Sequence, residues 1–220
     1  MAQIKTGILG NVSGKVGNVV GGTWKGINYL RTVAASVNNP NTELQANQRL
    51  KFGTVVKFLQ PITEFIRVGF KSQAVKMTTF NAAFSYNFHN ALTGDFPDFA
   101  INYSKAMVAR GNLAGALNPA CTSSEASKVI LSWEMNTNGG QASETDTAIF
   151  VVFNAAKQEA VYSLNAGSRI NGSLQVVLPA SYTGDMVHCY IAFITMNSLL
   201  GGQARNAISN SSYAGSVTVA

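Results

Sequence analysis

Two histidines, two cysteines and ten acids are the residues with which this 220-residue chain could do acid–base, nucleophilic or metal chemistry. A zinc site or a histidine-based general base needs partner ligands at defined spacing. His188 and Cys189 are adjacent in an apolar run that reads as a strand, where neighbours point to opposite faces and cannot hold one ion. His89, beside Phe88 on a predicted helix, reads as a surface or half-buried residue. Cys121 and Cys189 lack metal-ligand spacing and read as free, small, buried residues, with a single disulfide between them as the other option. Asp95 and Asp98 flank one loop, where stabilising the loop is the better reading than a catalytic carboxylate pair. Gly10-x-x-x-Gly14-Lys15 falls short of a phosphate-binding loop, which needs four residues between the glycines and a hydroxyl residue after the lysine. Here there are three, and Val16 follows. No catalytic residue, cofactor or metal is expected, and the chain is expected not to be an enzyme.

The elements that would position these residues change character along the chain. Residues 1–35 read as an extended arm in which Gly7, Gly10, Gly14, Gly17, Gly21, Gly22 and Gly26 alternate with β-branched and aromatic residues. Residues 36–112 read as a helical region with a following strand. Thr42-Glu43-Leu44-Gln45 matches a capping box, and Leu44, Phe52, Val55, Val56 and Leu59 recur at helical spacing up to Pro61. A second helix is expected around Ile62–Ile66, ending near Gly69. Thr78 or Thr79 would cap a third, carrying Phe80, Phe84 and Phe88 and stopped by Gly94. Residues 99–110 alternate as a strand should, and residues 113–127, rich in Ala, Gly, Ser, Asn and Pro, read as a linker.

From residue 128 the period falls to two. Strands are expected at 129–133, 148–153, 160–162, 174–178, 186–195, 204–209 and 216–219, with turns between them. Such a series suits a β-sandwich. The expected fold class is therefore α+β: a glycine-rich β arm, two or three helices that build a second small core, and a C-terminal sandwich over residues 128–220.

Composition narrows the function classes. Hydrophobic residues make up 46% of the chain, which argues against disorder, and charged residues only 12%, about half the usual share. A surface so poor in charge suits burial by neighbouring subunits. The net charge of +6 is uneven: residues 1–110 hold twelve Lys and Arg against four acids, residues 111–220 four against six. The bases are scattered and form no run, so a solvated or subunit-facing basic half is preferred to nucleic-acid binding. Phe52, Phe58, Phe65, Phe70, Phe80, Phe84 and Phe88 could stack bases, but their helical spacing marks them as core. Residues 1–20 lack the apolar run of a signal peptide, and no apolar segment reaches membrane-spanning length. Cytoplasmic synthesis without membrane insertion is expected.

Trp133, Leu178-Pro179, Tyr182, Gly184-Asp185 and Tyr190 together resemble the pattern of a fibronectin-type-III or immunoglobulin-like module, without the core cysteine pair of antibody domains. The resemblance implies that Trp133 lies between the two sheets. Gly7-Ile8-Leu9-Gly10, Ser13-Gly14-Lys15-Val16-Gly17-Asn18-Val19-Val20-Gly21, Trp24-Lys25-Gly26 and Tyr29-Leu30-Arg31 resemble the opening of an uncharacterised Bacteroidota family known as a domain of unknown function. The similarity continues through Asn39-Pro40-Asn41-Thr42, Gln48-Arg49, Phe80-Asn81-Ala82-Ala83, Tyr103-Ser104-Lys105 and Val187-His188. The Asn39-Pro40-x-Thr42-x-x-Gln45 segment with Arg49 and Phe52 is also similar to proteins encoded in phage and prophage structural regions.

Together these readings point to a structural or assembly protein, with a phage or prophage virion among its settings. Its partners would be copies of itself or other structural subunits. The contact residues expected in the arm are Val16, Val19, Val20, Trp24, Lys25, Tyr29 and Arg31. An indole at position 24 has no local helix to pack on and must anchor the arm to the body or to a neighbour. Two alternatives stay open: a glycan- or protein-binding module using the sandwich loops, and a nucleic-acid binder using the basic half.

Overall fold

The computed structural model describes residues 3–4, 12–33, 36, 41–137, 142–195 and 208–220. Two compact units divide the chain, Met1–Glu43 and Leu44–Ala220. The Gly7–Gly10 segment, the Asn136–Gly140 turn beyond Thr137 and the expected strand at 204–209 before Ile208 lie outside the described residues.

The first unit is an antiparallel meander of β1 (Gln3–Ile4), β2 (Val12–Val16), β3 (Val19–Trp24) and β4 (Ile27–Thr32), paired in that order. The second unit opens with α1 (Glu43–Leu59), which starts directly after Thr42. Pro61 lies just past its end, in a 3-10 turn that leads into α2 (Thr63–Gly69). α3 (Thr79–Asn90) is capped as expected: the Thr78 hydroxyl accepts a hydrogen bond from the Asn81 amide at 3.1 Å. It ends four residues before Gly94, with Ala91 as its C-cap.

The strand expected at 99–110 is mostly loop. Only β6 (Ala100–Ile101) is strand, paired with β5 (Leu92–Thr93). The buried Asn87 side chain does what a β partner would at Met107. Its Nδ2 donates to the Met107 carbonyl at 2.8 Å and its Oδ1 accepts from the Met107 amide at 2.9 Å. Val108 and Ala109 are buried without a ladder because Ser211 serves them: its hydroxyl accepts from the Val108 amide at 3.0 Å and its amide donates to the Ala109 carbonyl at 2.9 Å.

Among the described residues seven strands make the sandwich: β7 (Leu117–Thr122), β8 (Lys128–Glu134), β9 (Thr147–Asn154), β10 (Glu159–Ser163), β11 (Ser173–Val177), β12 (Met186–Ile194) and β13 (Ser212–Thr218). One sheet runs β11-β8-β7 and the other β10-β9-β12-β13. β7 corrects the linker reading of 113–127. It pairs with β8 at the edge of its sheet, and Pro119 falls where the register shifts, a place that spares the ladder a missing donor.

The helices do not build a second core of their own. They pack on the outer face of the four-stranded sheet, so that α1, α2 and α3 share one cluster with Ile149, Val151 and Phe153 of β9 and Tyr190, Ala192 and Ile194 of β12. Alternate residues of the same strands, Phe150 and Val152 with Val187, Ile191 and Phe193, face Val129, Leu131 and Trp133 of β8. β9 and β12 are consequently buried on both faces, which is why their sequences run apolar without alternation. Of the phenylalanine series, Phe58, Phe65 and Phe70 are fully buried, while Phe52 is half exposed and leans on Phe84.

One charged cluster is enclosed at an end of the sandwich. The Arg169 Nε donates to Asp146 Oδ2 at 3.2 Å, its Nη1 to Asn136 Oδ1 at 2.6 Å and its Nη2 to the Ala114 carbonyl at 2.7 Å. Its guanidinium lies 3.8 Å from the Phe193 ring centroid. Trp133, between the sheets as the resemblance implies, donates its Nε1–H to the Arg169 carbonyl at 2.8 Å.

Candidate interaction surface of the N-terminal meander

The meander is held by turns that its sequence prescribes. Lys25 and Gly26 both have positive φ, 47° and 79°, as the central pair of a two-residue β3–β4 hairpin requires. Gly21 is needed for a closer reason. The backbone of Val12 crosses it, and a Cβ at position 21 would lie 2.2 Å from the Val12 carbonyl oxygen. Among the described residues of this unit, Gly21 alone is buried.

Register sorts the expected contact residues into two faces. Lys15, Val20 and Arg31 stand opposite one another in a row across β2, β3 and β4, and Trp24 pairs with Ile27 further along. Since residues two apart share a face, Val20, Trp24, Ile27, Tyr29 and Arg31 lie together. Tyr29 leans over Gly22, where a Cβ would be 2.9 Å from its hydroxyl oxygen. Val16, Val19 and Leu30 belong to the opposite face, and Lys25 sits in the turn with its Nζ 5.8 Å from the Trp24 ring centroid.

Both faces expose apolar side chains. Leu30 is 64% exposed and Val16 58%, with Trp24, Ile27 and Tyr29 all above 40%. Val19 and Val20 are half buried. Ile27 and Leu30 are not among the contact residues expected from sequence; they lie on opposite faces, three residues apart, so no period-two pattern marks the two together. Lys15, Lys25 and Arg31 accompany these side chains, and residues 1–42 contain no acid. The surface is thus apolar, aromatic and cationic. β4 is an edge strand of the sheet, with all six residues exposed.

The residues that could do chemistry are dispersed. His188 and Cys189 lie on opposite faces of β12, as strand alternation demands. His188 stacks on Tyr103 with centroids 3.7 Å apart, and its Nδ1 is 2.9 Å from the Tyr213 hydroxyl. Burial holds its pKa below the ordinary imidazole value. His89 is exposed on α3, its Nδ1 2.7 Å from the Ser85 carbonyl. Asp95 and Asp98 are exposed ends of one turn, closed by the Asp98 amide donating to the Asp95 carbonyl at 2.7 Å. Lys15 lies within β2 and not at a loop leading into a helix. No group of three or more His, Cys, Asp or Glu able to hold a metal occurs among the described residues.

The model of a family of unknown function, DUF6266, matches residues 11–215. The chain belongs to this family. The match takes in β2, β3 and β4 as well as nearly all of the sandwich, so these three strands of the meander are part of the family pattern. No curated protein matches the chain. Within the described residues no helix is long and apolar enough to cross a membrane.

Proposed function

We propose that this chain is a non-enzymatic structural or assembly protein whose N-terminal meander makes contacts between subunits. The observation that carries the reading is a four-stranded sheet whose described apolar side chains are half buried or exposed on both faces. A sheet this small needs a covered hydrophobic face to offset the entropy of ordering its chain. The open β4 edge adds a second means of recognition, since an edge strand can pair with a strand of another subunit. The proposed partners are further copies of the chain or other structural subunits. A virion is the setting we favour, on the similarity carried by Asn39-Pro40-x-Thr42-x-x-Gln45, Arg49 and Phe52.

Light scattering coupled to size exclusion tests this reading. It is run on the full chain, on a chain beginning at Leu44, and on full chain carrying Trp24→Ser and Leu30→Ser. The full chain should assemble, and both altered forms should fall to smaller species. A stable monomer in all three would defeat the proposal. The Lys15–Arg31 row beside Trp24 and Tyr29 supports a second reading, a platform for single-stranded nucleic acid. Absence of oligonucleotide affinity at low salt, where counterion release favours it most, would end that one.

A further inference from the structure

The sequence favours Cys121 and Cys189 as free, small, buried residues over a disulfide pair, and the fold brings them together. Cys121 stands opposite Leu131 in the β7–β8 register, and Leu131 is fully buried between the sheets, so Cys121 also faces inward. Cys189 alternates with Val187 and Ile191 on the inner face of β12. Its partner across the β12–β13 ladder is Gly215, and a Cβ on that glycine would lie 3.4 Å from the Cys121 sulfur. The Cys121 sulfur therefore sits over the Cys189–Gly215 pair, where the missing side chain leaves it room. The two thiols are near enough to perturb each other's ionisation.

We infer that Cys121 and Cys189 form an oxidation site, closing into a disulfide that pins β7 to β12 across the sandwich. The oxidant is a disulfide, for which oxidised glutathione serves as probe. The Cys121 thiolate attacks one glutathione sulfur, breaking the glutathione S–S bond and releasing one glutathione thiolate. The Cys189 thiolate then attacks the Cys121 sulfur of the mixed disulfide and releases the second. Two cysteine thiols are oxidised, one glutathione disulfide is reduced, and the two thiol protons pass to the glutathione thiolates. The order follows from access: Cys121 is half buried, whereas Cys189 is completely buried. Electrostatics favours the same order. The interaction with Cys189 lowers the Cys121 pKa, while the same interaction and burial raise that of Cys189.

The bridge would enclose β8 through β12, nearly the whole sandwich, and so constrain the unfolded chain strongly. The experiment equilibrates the reduced full-length protein with oxidised glutathione, then measures intact mass, maleimide-reactive thiols after denaturation, and melting temperature. The expected product is a monomer chain lighter by two hydrogens, without reactive thiols. It should melt roughly 10 °C higher than the reduced form. Dithiothreitol should reverse both changes, and Cys121→Ser should abolish them. Two persistent free thiols, a stable glutathione adduct on Cys121, or disulfide-linked chains on a non-reducing gel would each overturn the inference. So would an oxidised form that melts no higher than the reduced one. The mass and thiol readouts on the unaltered chain decide the matter even if Cys121→Ser folds poorly.

Discussion

Replacing Arg169 by methionine should be the most damaging single change in the sandwich that leaves its hydrophobic core intact. Arg169 is fully buried, and its partner Asp146 is 1% exposed. Burial depresses the guanidinium pKa, and the Asp146 carboxylate opposes that depression, so the pair is mutually dependent. Methionine fills much of the stem volume but withdraws the donors to Asp146, Asn136 and the Ala114 carbonyl. Asp146 keeps its bond from the Ser143 amide at 2.9 Å, yet its charge is left without a counter-ion in a dry site. Breaking one side of a buried ion pair costs about 3–5 kcal/mol. Losing the cation over Phe193 lies within that figure, not on top of it.

Urea unfolding followed by tryptophan fluorescence measures this directly, because the Trp133 indole is bonded to the Arg169 carbonyl. A Trp24→Phe background leaves Trp133 as the sole reporter of the two tryptophans. Asp146→Leu alone should cost a similar amount, and the double variant far less than the sum, with a coupling of about 2 kcal/mol. A loss under about 1 kcal/mol for Arg169→Met, or strict additivity in the cycle, would refute the account. Either result would mean that the pair sits in an environment wet enough to solvate each charge alone.

Other expectations can be checked as readily. His188 is held below the ordinary imidazole pKa by burial, so well above about pH 6.5 both folded and unfolded states are neutral there. As pH falls from that value the unfolded chain takes up the proton first, and stability should drop until the folded pKa is passed. His188→Gln should flatten this part of the urea-midpoint profile. The Tyr182 phenol, buried and facing Glu159, is pushed up to about 12. Its contribution is present below about pH 10 and lost as pH rises through 12. Burial also raises the Tyr103, Tyr190 and Tyr213 phenols, so absorbance titration should show several late-ionising tyrosines, of which Tyr182→Phe removes one. Gly21→Ala forces a Cβ against the Val12 carbonyl and should loosen the meander, measured as faster amide exchange in β2 and β3 with the sandwich unchanged.

Much of the sandwich was legible because β-strands leave a period-two trace and their turns leave glycines. The expected strands at 129–133, 148–153, 160–162, 174–178 and 186–195 match β8 through β12 within a residue or two. The strand β7 was not legible, since Leu117-Asn118-Pro119-Ala120-Cys121-Thr122 has little β-propensity and is held by its partner strand. Residues 99–110 failed in the opposite way: their alternation is real, but Asn87, Ser211 and Gly69 supply the backbone bonds of Met107 to Arg110 that a neighbouring strand would have made. The shared core was written in the unbroken apolar runs of β9 and β12, which a sheet with one wet face would not tolerate. Nothing local could reveal that Cys121 meets Cys189 or Arg169 meets Asp146, because topology alone brings such pairs together.

These placements also decide where recognition has to be sought. In the larger unit the four-stranded sheet is covered by helices on one face and by the β11-β8-β7 sheet on the other, so its apolar residues are already committed. The outer face of β11-β8-β7 carries Lys128, Ser132, Ser173, Gln175 and Thr122, with Ile130 half buried and two exposed apolar side chains, Leu117 and Val177, standing apart at its margins. The meander is the reverse case, a sheet with large exposed side chains and one buried glycine. Surface apolar residues scattered singly carry no message, but Trp24, Ile27 and Tyr29 share one face with Lys15 and Arg31, on a sheet too small to be stable uncovered. Substituting serine at Trp24 and Leu30 removes one anchor from each face. If subunit contact uses the Trp24 face, Trp24→Ser alone should weaken assembly about as much as the pair, whereas equal and additive losses would require both faces to be covered.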